Sequence, residues 1–308
     1  MACRFTLKQL EYFVAAGEAC SISIAAQRIN VSPPSISAAI SHLEGEFGIQ
    51  LFIRRHAHGM ELTQGGRKFF RAAVQVLAEA DGLRDVANEI AGTVMGAIKV
   101  GCLVTIAPLL MPALRKSFEI KFPGSSVSQF DGHQLELVDL LESAKVDAVV
   151  TYDLDIPAGI EFQPLAELPP YAVLAADHSL ATRDSVELKD IAPEPMVLLD
   201  LPLSREYFLS IFRSAGFRPN VAERAGSVPV MLGLVANGYG YGLLNIRLGA
   251  NTAPDGGSLA RVPLAGRFRP MVLGLATMRG IAKTKLLESF EDHCRAKLAD
   301  GSIPGVAP

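Results

Sequence analysis

The sequence contains no tryptophan, only four cysteines and no uninterrupted apolar run of membrane-spanning length. Each absence excludes something. The most apolar stretch, Val100 to Leu114, is broken by Gly101, Pro108 and Pro112 and is too short to cross a bilayer. Cys3, Cys20, Cys102 and Cys294 are scattered without a CxxC pair, which argues against a disulfide frame and reads as reduced thiols. Arg4, Lys8 and Glu11 interrupt any signal-peptide core at the start. Neither charge sign dominates: the net charge is −3, so any contact with nucleic acid has to come from a local patch. No P-loop, HExxH, GxSxG or dinucleotide fingerprint occurs, and the glycines of "GYGYG" (238–242) lack phosphate-loop spacing and read as a helix end turning into a strand. The expectation is a cytoplasmic protein with no membrane partner, no cofactor, no metal and no catalytic residues.

What is present is an ordinary globular balance, 49% hydrophobic and 20% charged over 308 residues, enough for two or three domains. The first ninety residues read as helical. Leu7, Leu10, Phe13 and Val14 form one helix face; Ala25, Ala26 and Ile29 form a second, short helix with Ser23 as its N-cap. After a tight turn at Asn30–Ser32 comes "PPSISAAISHLEGEFG", with Ile36, Ile40 and Leu43 on one face. Because Pro34 disfavours helical geometry at Pro33, the helix is expected to start at Pro34, or at Pro33 with distortion. Its other face (Ser35, Ser37, Ala38, Ala39, Ser41, His42) is small and nearly uncharged. Two short helices joined by a tight turn, the second slim, form either a helix-turn-helix built to enter a DNA groove or a generic helical hairpin.

The following segment favours the first reading. "IRRHAHGMELT" suggests two short strands around a turn, a wing, and Thr63 caps a new helix. Through residue 75 there are eight Lys and Arg (Arg4, Lys8, Arg28, Arg54, Arg55, Arg67, Lys68, Arg71) against five Glu (Glu11, Glu18, Glu44, Glu46, Glu61), a locally basic segment on an acidic chain. His56 and His58 are read as a solvated turn rather than a metal site.

The stretch from "LKQLEYFVAAGEA" through "LFIRR" to "ELTQGG", with its Ala25–Ala26 pair, Val31–Ser32 turn, Ser37, Leu43–Glu44, Gly48, Leu51–Phe52–Arg54 and Leu62–Thr63–Gly66, closely resembles the N-terminal domain of LysR-type transcriptional regulators. The resemblance implies a winged helix-turn-helix over 1–63, a linker helix over 64–92 that dimerises, and a two-lobed effector-binding domain over 93–308 like a periplasmic binding protein, with lobe I at about 93–164 and 268–308 and lobe II at about 165–267. The fold class is α followed by α/β. DNA contacts are expected from Ser32, Pro33, Ser35, Ser37, Ala38 and His42, with Arg54 and Arg55 meeting phosphate or minor groove. Family members commonly carry glutamine where Pro33 stands and basic or amide residues near Ala38 and Ala39, so base readout by this helix should be sparse. Double-stranded DNA, a small-molecule effector and further copies of the chain, as homodimer or homotetramer, are the implied partners; RNA polymerase is left open.

From Gln64 to about Glu89 an apolar stripe (Phe70, Ala73, Leu77, Ala80, Ala87, with Phe69, Val76, Leu83 and Val86 nearby) packs either on a second copy or on the chain's own C-terminal part. Glycines of "AGTVMGA" (91–97) supply a hinge. Beyond Gly96 the pattern becomes strand, helix, strand, helix, strand ("AIKVGCL", Ile106–Phe122, "SSVSQFDG", "HQLELVDLLESA", "VDAVVTYD"), which implies a parallel sheet. "YAVLAAD", "MVLLDL", "YGYGLLN" and "PMVLGLAT" add strands, with helices near 205–215, 228–236 and 282–298. Ligand groups in such folds lie at strand carboxyl ends. Candidates are Cys102 and Thr105 after the first strand, Thr151 and Tyr152 at the end of the third, Ser204 as a helix cap beside Arg205, Ser227 or Val228 at another helix start, and Asn245. Arg205 is either a carboxylate clamp or a solvated arginine. Cys102 is either a reactive thiol or a packed one. Asp153 and Asp155 either bind an amine or cap loops. The cleft candidates point to a small polar or anionic metabolite. The rival is a small-molecule-binding or enzymatic α/β protein whose N-terminal helices serve only oligomerisation.

Overall fold

In the computed structural model, residues 4–55, 59–90 and 94–301 are described, and they form two compact units, the first made of the chain up to residue 93 together with 142–145 and the second of the remainder. The first holds α1 (Leu7–Ala19), α2 (Ile22–Arg28), α3 (Pro33–Phe47), β1 (Phe52–Arg55), β2 (Gly59–Leu62) and α4 (Gln64–Ile90). The helix starts follow local chemistry. Thr6 and Gln9 close a capping box on α1. Ser21, not Ser23, caps α2, accepting from the Ile24 N–H. Helix α2 therefore begins earlier than the sequence suggests. Helix α3 starts at Pro33, with Ser32 at the N-cap. Both prolines fit because first-turn N–H groups have no intrahelical partner. The core centres on Phe13, fully buried, with Phe52, Phe69 and Phe70 rings 5.5, 5.4 and 6.1 Å away in edge-on arrangements.

The second unit contains β3 (Gly96–Leu103), α5 (Ala107–Lys121), β4 (Ser125–Gly132), α6 (Gln134–Glu142), β5 (Ala148–Tyr152), β6 (Ile160–Leu168), β7 (Tyr171–Ala175), α7 (Leu188–Ile191), β8 (Pro195–Leu199), α8 (Ser204–Ser214), β9 (Asn220–Ala225), α9 (Val228–Ala236), β10 (Gly242–Leu244), β11 (Leu259–Pro263), β12 (Met271–Met278) and α10 (Lys285–Ala299). One sheet has strand order β4-β3-β5-β12-β6; its first three strands are parallel and β12 runs antiparallel. In the other, β10-β7-β11 joins the parallel pair β8-β9 through a bridge between Met196 and Tyr241. Gly240, at φ +145°, makes that join: a Cβ there would lie 2.2 Å from the Pro195 carbonyl oxygen. "GYGYG" is thus a helix end running into a strand. The chain crosses from the first sheet to the second after Leu168 and returns between Pro263 and Met271, so each sheet anchors one lobe. The α-plus-α/β class read from the sequence is the one observed.

Three strands, β6, β9 and β11, have no counterpart in the sequence reading. A buried histidine also emerges. His293 on α10 is 3% exposed, its Nε2 lies 2.7 Å from Ser117 Oγ, and its ring packs edge-on against Phe118. Burial lowers its pKa, and Lys121 and Lys297 lower it further against weaker opposition from a Leu114 backbone hydrogen bond and Asp300. The native ring is therefore neutral where the unfolded one, titrating near about 6.5, gains a proton. Its contribution is complete above that value and falls away as pH drops below it. Melting curves should show His293→Gln losing less of its midpoint than the wild type between neutral pH and mildly acidic pH; equal losses would refute the assignment.

Candidate DNA-reading face and ligand cleft

Asn30 takes a left-handed φ of +53°, and the Val31 N–H returns to the Ala26 carbonyl at 3.0 Å, so the chain reverses tightly between α2 and α3. Helix α3 buries Ile36, Ala39, Ile40 and Leu43. Ser32, Pro33, Pro34, Ser35, Ala38, Ser41 and His42 are exposed, and Ser37 is half-buried. Ala39 therefore leaves the outward face where the sequence reading puts it: it follows Ile36 by three residues and precedes Leu43 by four, which is the core stripe. Ser32 provides no side-chain cap; its hydroxyl lies 2.8 Å from that of Ser35. The exposed face carries small hydroxyls and a methyl but no amide or cation before His42. A backbone with so little side-chain bulk can approach base edges closely.

Sequence reasoning misses the device that fixes this helix against the wing. The Glu44 carboxylate accepts the N–H groups of Leu51 at 2.8 Å and Phe52 at 3.3 Å, tying the last turn of α3 to β1. The family pattern contains Glu44, but nothing local reveals a bond seven residues away. β1 and β2 pair antiparallel, Arg54 opposite Met60 and Arg55 opposite Gly59, so the expected wing strands are present. His56 and His58 lie outside the described residues. At the foot of the wing, Thr63 Oγ1 accepts the Gly66 N–H at 2.7 Å and donates to the Gln50 carbonyl. The Arg67 guanidinium donates to the Leu62 carbonyl at 3.0 Å, and Lys68 and Arg71 are exposed beside it. Along α4, Phe69, Phe70, Ala73 and Leu77 pack on the first unit's core, so much of the stripe serves that domain; Val76 and Leu83 stay exposed, at 42% and 69%.

In the second unit, the expected ligand groups stand at or after the ends of β3, β5, β8, β9 and β10. Thr105 lies in the turn before α5 rather than at its N-cap, and its hydroxyl bonds that of Tyr152. Burial raises the Tyr152 phenol well above its usual value; Cys102, Tyr171 and Tyr207 add to the rise, and the Thr105 bond opposes it. Asn245 is 5% exposed. Its Nδ2 donates to the Leu168 carbonyl at 2.8 Å and to the Tyr207 hydroxyl at 3.2 Å, and the Tyr207 hydroxyl donates to the Arg269 carbonyl at 2.8 Å. One side-chain cluster thus joins α8, the end of β10 and both crossovers. Burial lifts the Tyr207 phenol to about 12. The sequence reading names Thr105, Tyr152 and Asn245 but not Tyr207, which it treats only as part of the helix following Arg205.

The remaining candidates are placed differently. Cys102 and Thr151 are both 0% exposed. Burial first, then the Asp131 and Cys294 charges, raise the Cys102 thiol, so the packed reading holds. Cys102 lies within β3 and Thr151 within β5. Ser204 is not a cap: Leu203 occupies the N-cap at φ +66°, and no side chain caps α8. Arg205 is not a free clamp. It bonds Asp200 at 2.7 Å and Glu206 at 3.3 Å, and Asp200 also takes Arg224 at 3.0 Å. These two arginines hold the Asp200 carboxyl below the usual carboxylate range, Arg224 first. Val228 begins α9 and is 8% exposed, while Ser227 caps it through the Val230 N–H. Asp153 caps as well, its carboxylate accepting from Arg269 at 2.6 Å and from the Val272 N–H at 3.0 Å. No cluster of three metal-ligating side chains occurs among the described residues, and no described helix is long and apolar enough to cross a membrane.

Comparison with known proteins agrees with these two units. Residues 7–67 match the lysR family of bacterial regulatory helix-turn-helix proteins, and residues 91–299 match the LysR substrate binding domain. The chain is 30% identical over 240 residues to the hydrogen peroxide-inducible genes activator of Pectobacterium carotovorum, covering 77% of this chain and 79% of that one. HinK, a LysR family transcriptional regulator from Pseudomonas aeruginosa, is 35% identical in its crystal structure, with TM-score 0.65 over 95% of this chain and 98% of its own. A single-residue variant of full-length OxyR from Pseudomonas aeruginosa, at 24% identity, shares the fold with TM-score 0.74 over 95% and 98% of the two chains. These relatives are regulators rather than enzymes, which sets the enzymatic rival aside. The chain belongs to the LysR family and is a DNA-binding transcriptional regulator with an effector-binding domain.

Proposed function

We propose that this regulator binds an interrupted palindrome as a pair of dimers, gated by a small polar or anionic metabolite between its lobes. The observation that carries the DNA side is the outward face of α3: Ser32, Pro33, Ser35, Ala38 and His42 are all exposed while the opposite stripe is buried. Those residues, with Ser37 at the edge, meet the groove, and Arg54 and Arg55 meet phosphate or the minor groove. The exposed Val76 and Leu83 on α4 are apolar surface that a second copy would cover. The division into a reading domain over 1–63, a dimerising helix over 64–92 and an effector domain over 93–308 follows from this assignment. Such a regulator acts in the cytoplasm, where its DNA is.

On the ligand side, Thr105, Tyr152 and Asn245 supply hydroxyl and amide groups at one junction, a polar set without a paired charge. A metabolite that binds one lobe arrangement better than another shifts the population, and that difference sets the size of the DNA response. The test is anisotropy titration on a duplex from the gene's own promoter across a salt series. The log–log slope should be steep, and the double variant R54A/R55A should flatten it by roughly 2 for each DNA-bound copy of the chain, near 0.9 per lost phosphate contact. A salt-insensitive interaction, or none with that promoter, overturns the proposal.

A further inference from the structure

A cavity of about 510 Å³ lies beside the crossovers of the second unit, lined among others by Glu167, Pro170, Tyr171, Asn245, Arg247 and Arg261. It shares only Asn245 with the strand-end candidates above. Its walls follow from the strand pairing. Leu244 of β10 pairs with Tyr171 of β7, so Asn245 and Arg247 come just past that pair. Arg261 of β11 pairs with Val173, two residues further along β7, while Glu167 stands near the end of β6, before the crossover. The Tyr171 hydroxyl is buried and donates to the Ile246 carbonyl at 2.8 Å, which fixes the segment carrying Arg247.

The charges in this cavity are unbalanced. Arg205, Arg224, Arg183, Arg213, Arg269 and Arg295 each bond a carboxylate. Arg247 and Arg261 have no ion pair among the described residues, yet they line one cavity. Both guanidinium charges reach the Tyr171 phenol and work against the rise that burial causes there. Two like charges lining one open cavity repel each other, and an anion between them relieves that repulsion. Glu167 lines the same cavity, leaving one net positive charge to balance. Asn245 adds an acceptor without a donor: its Nδ2 is used twice, and its buried Oδ1 has no hydrogen-bond partner.

We propose that this cavity is a second small-molecule site. It takes a small organic monoacid that also carries a hydroxyl or amine: the carboxylate lies between Arg247 and Arg261, the donor group faces Glu167 and Asn245, and the apolar body lies on the proline-rich wall. A planar carboxylate is matched by guanidinium forks, and a cavity of this size holds a molecule of metabolite dimensions. The site meets the strand-end groups only at Asn245, and it adjoins the segments that join the two lobes, so occupancy acts where the lobe angle is set.

The test is calorimetric titration of the full-length protein with mandelate, and with mandelamide as its neutral counterpart. Mandelate should bind and mandelamide should not. R247Q and R261Q should each weaken mandelate about 10-fold, and the double variant about 100-fold. Arg247 is exposed and Arg261 half-buried, so neither anchors the core. R247K, keeping the charge but losing the fork, should fall between wild type and R247Q, separating recognition from a folding defect. Thr105→Val should leave mandelate binding intact. The site is refuted if mandelate fails to bind wild type, if the amide binds equally, or if Thr105→Val abolishes binding that the arginine variants retain. That last result would place the acid among the strand-end groups and leave the proposed gating standing.

Discussion

Gly66→Ala should destabilise the winged domain by about 3 kcal/mol while the effector-binding domain melts unchanged. The reason is a backbone contact. A Cβ on Gly66 would lie 2.1 Å from the Leu51 carbonyl oxygen and 3.1 Å from Thr63 Oγ1. Neither can retreat cheaply. The Leu51 carbonyl accepts the Thr63 N–H at 3.0 Å, and Thr63 Oγ1 is held between Gly66 and Gln50. The new methyl therefore pushes the start of α4 away from β1 and loosens Phe69 and Phe70 from Phe13. The two units have separate cores, so scanning calorimetry should show one transition falling by roughly 10–20 °C and the other holding. DNA affinity should fall with it, because the wing and α3 share that core. Gly65→Ala is the control: its Cβ would meet only Thr63 Oγ1, at 3.7 Å, and it should be neutral or slightly stabilising. Equal behaviour of the two alanine variants would show that the close approach is not a constraint.

The steric difference between Gly65 and Gly66 is invisible in the sequence, where both fall in the first turn of the helix that Thr63 caps. Legibility follows this pattern throughout. Periodicities that bury large side chains are readable: α1, α3 and the strands "AIKVGCL" and "PMVLGLAT" announce themselves. β6 does not, because Pro164 stands in its middle and its burial does not alternate. It is an edge strand, and Pro164 pairs with Gly274 beside the register shift, where a proline is tolerated. β9 is hidden for another reason: Asn220, Ala222, Glu223 and Arg224 face solvent, so no apolar stripe marks it. Among ligand candidates, Thr105, Tyr152 and Asn245 are readable as polar groups at strand ends. Arg205 misleads because its partner Asp200 stands five residues earlier across a loop, and a one-dimensional reading has no means of neutralising it. Arg247 and Arg261 draw no notice in the sequence because their significance lies in lacking a partner, which only the folded arrangement shows.

Ala38 and Ala39 are neighbours of identical chemistry, yet glutamine at each should have opposite consequences. Ala39 is 5% exposed and lies within the stripe formed by Ile36, Ile40 and Leu43. Ala39→Gln inserts more side chain than the packing allows and carries an amide into a space walled by aliphatic groups. Overpacking costs about 1–3 kcal/mol and an unpaired buried amide about 1–3 more, so a loss of about 2–6 kcal/mol is expected, enough to dissociate α3 from the core. Ala38 is exposed, one position around the helix, and Ala38→Gln should leave the melting temperature within about 3 °C, as surface changes away from special features do. Its effect should appear in recognition instead. A glutamine there can bond adenine bidentately in the major groove, worth about 1–3 kcal/mol of discrimination between bases, whereas the native methyl offers only contact with thymine. Binding to a library of single-base operator variants should therefore show a new preference in Ala38→Gln confined to one position in each half-site. An unaltered preference profile, with stability and affinity both intact, would mean that residue 38 does not face DNA and that α3 docks by another edge.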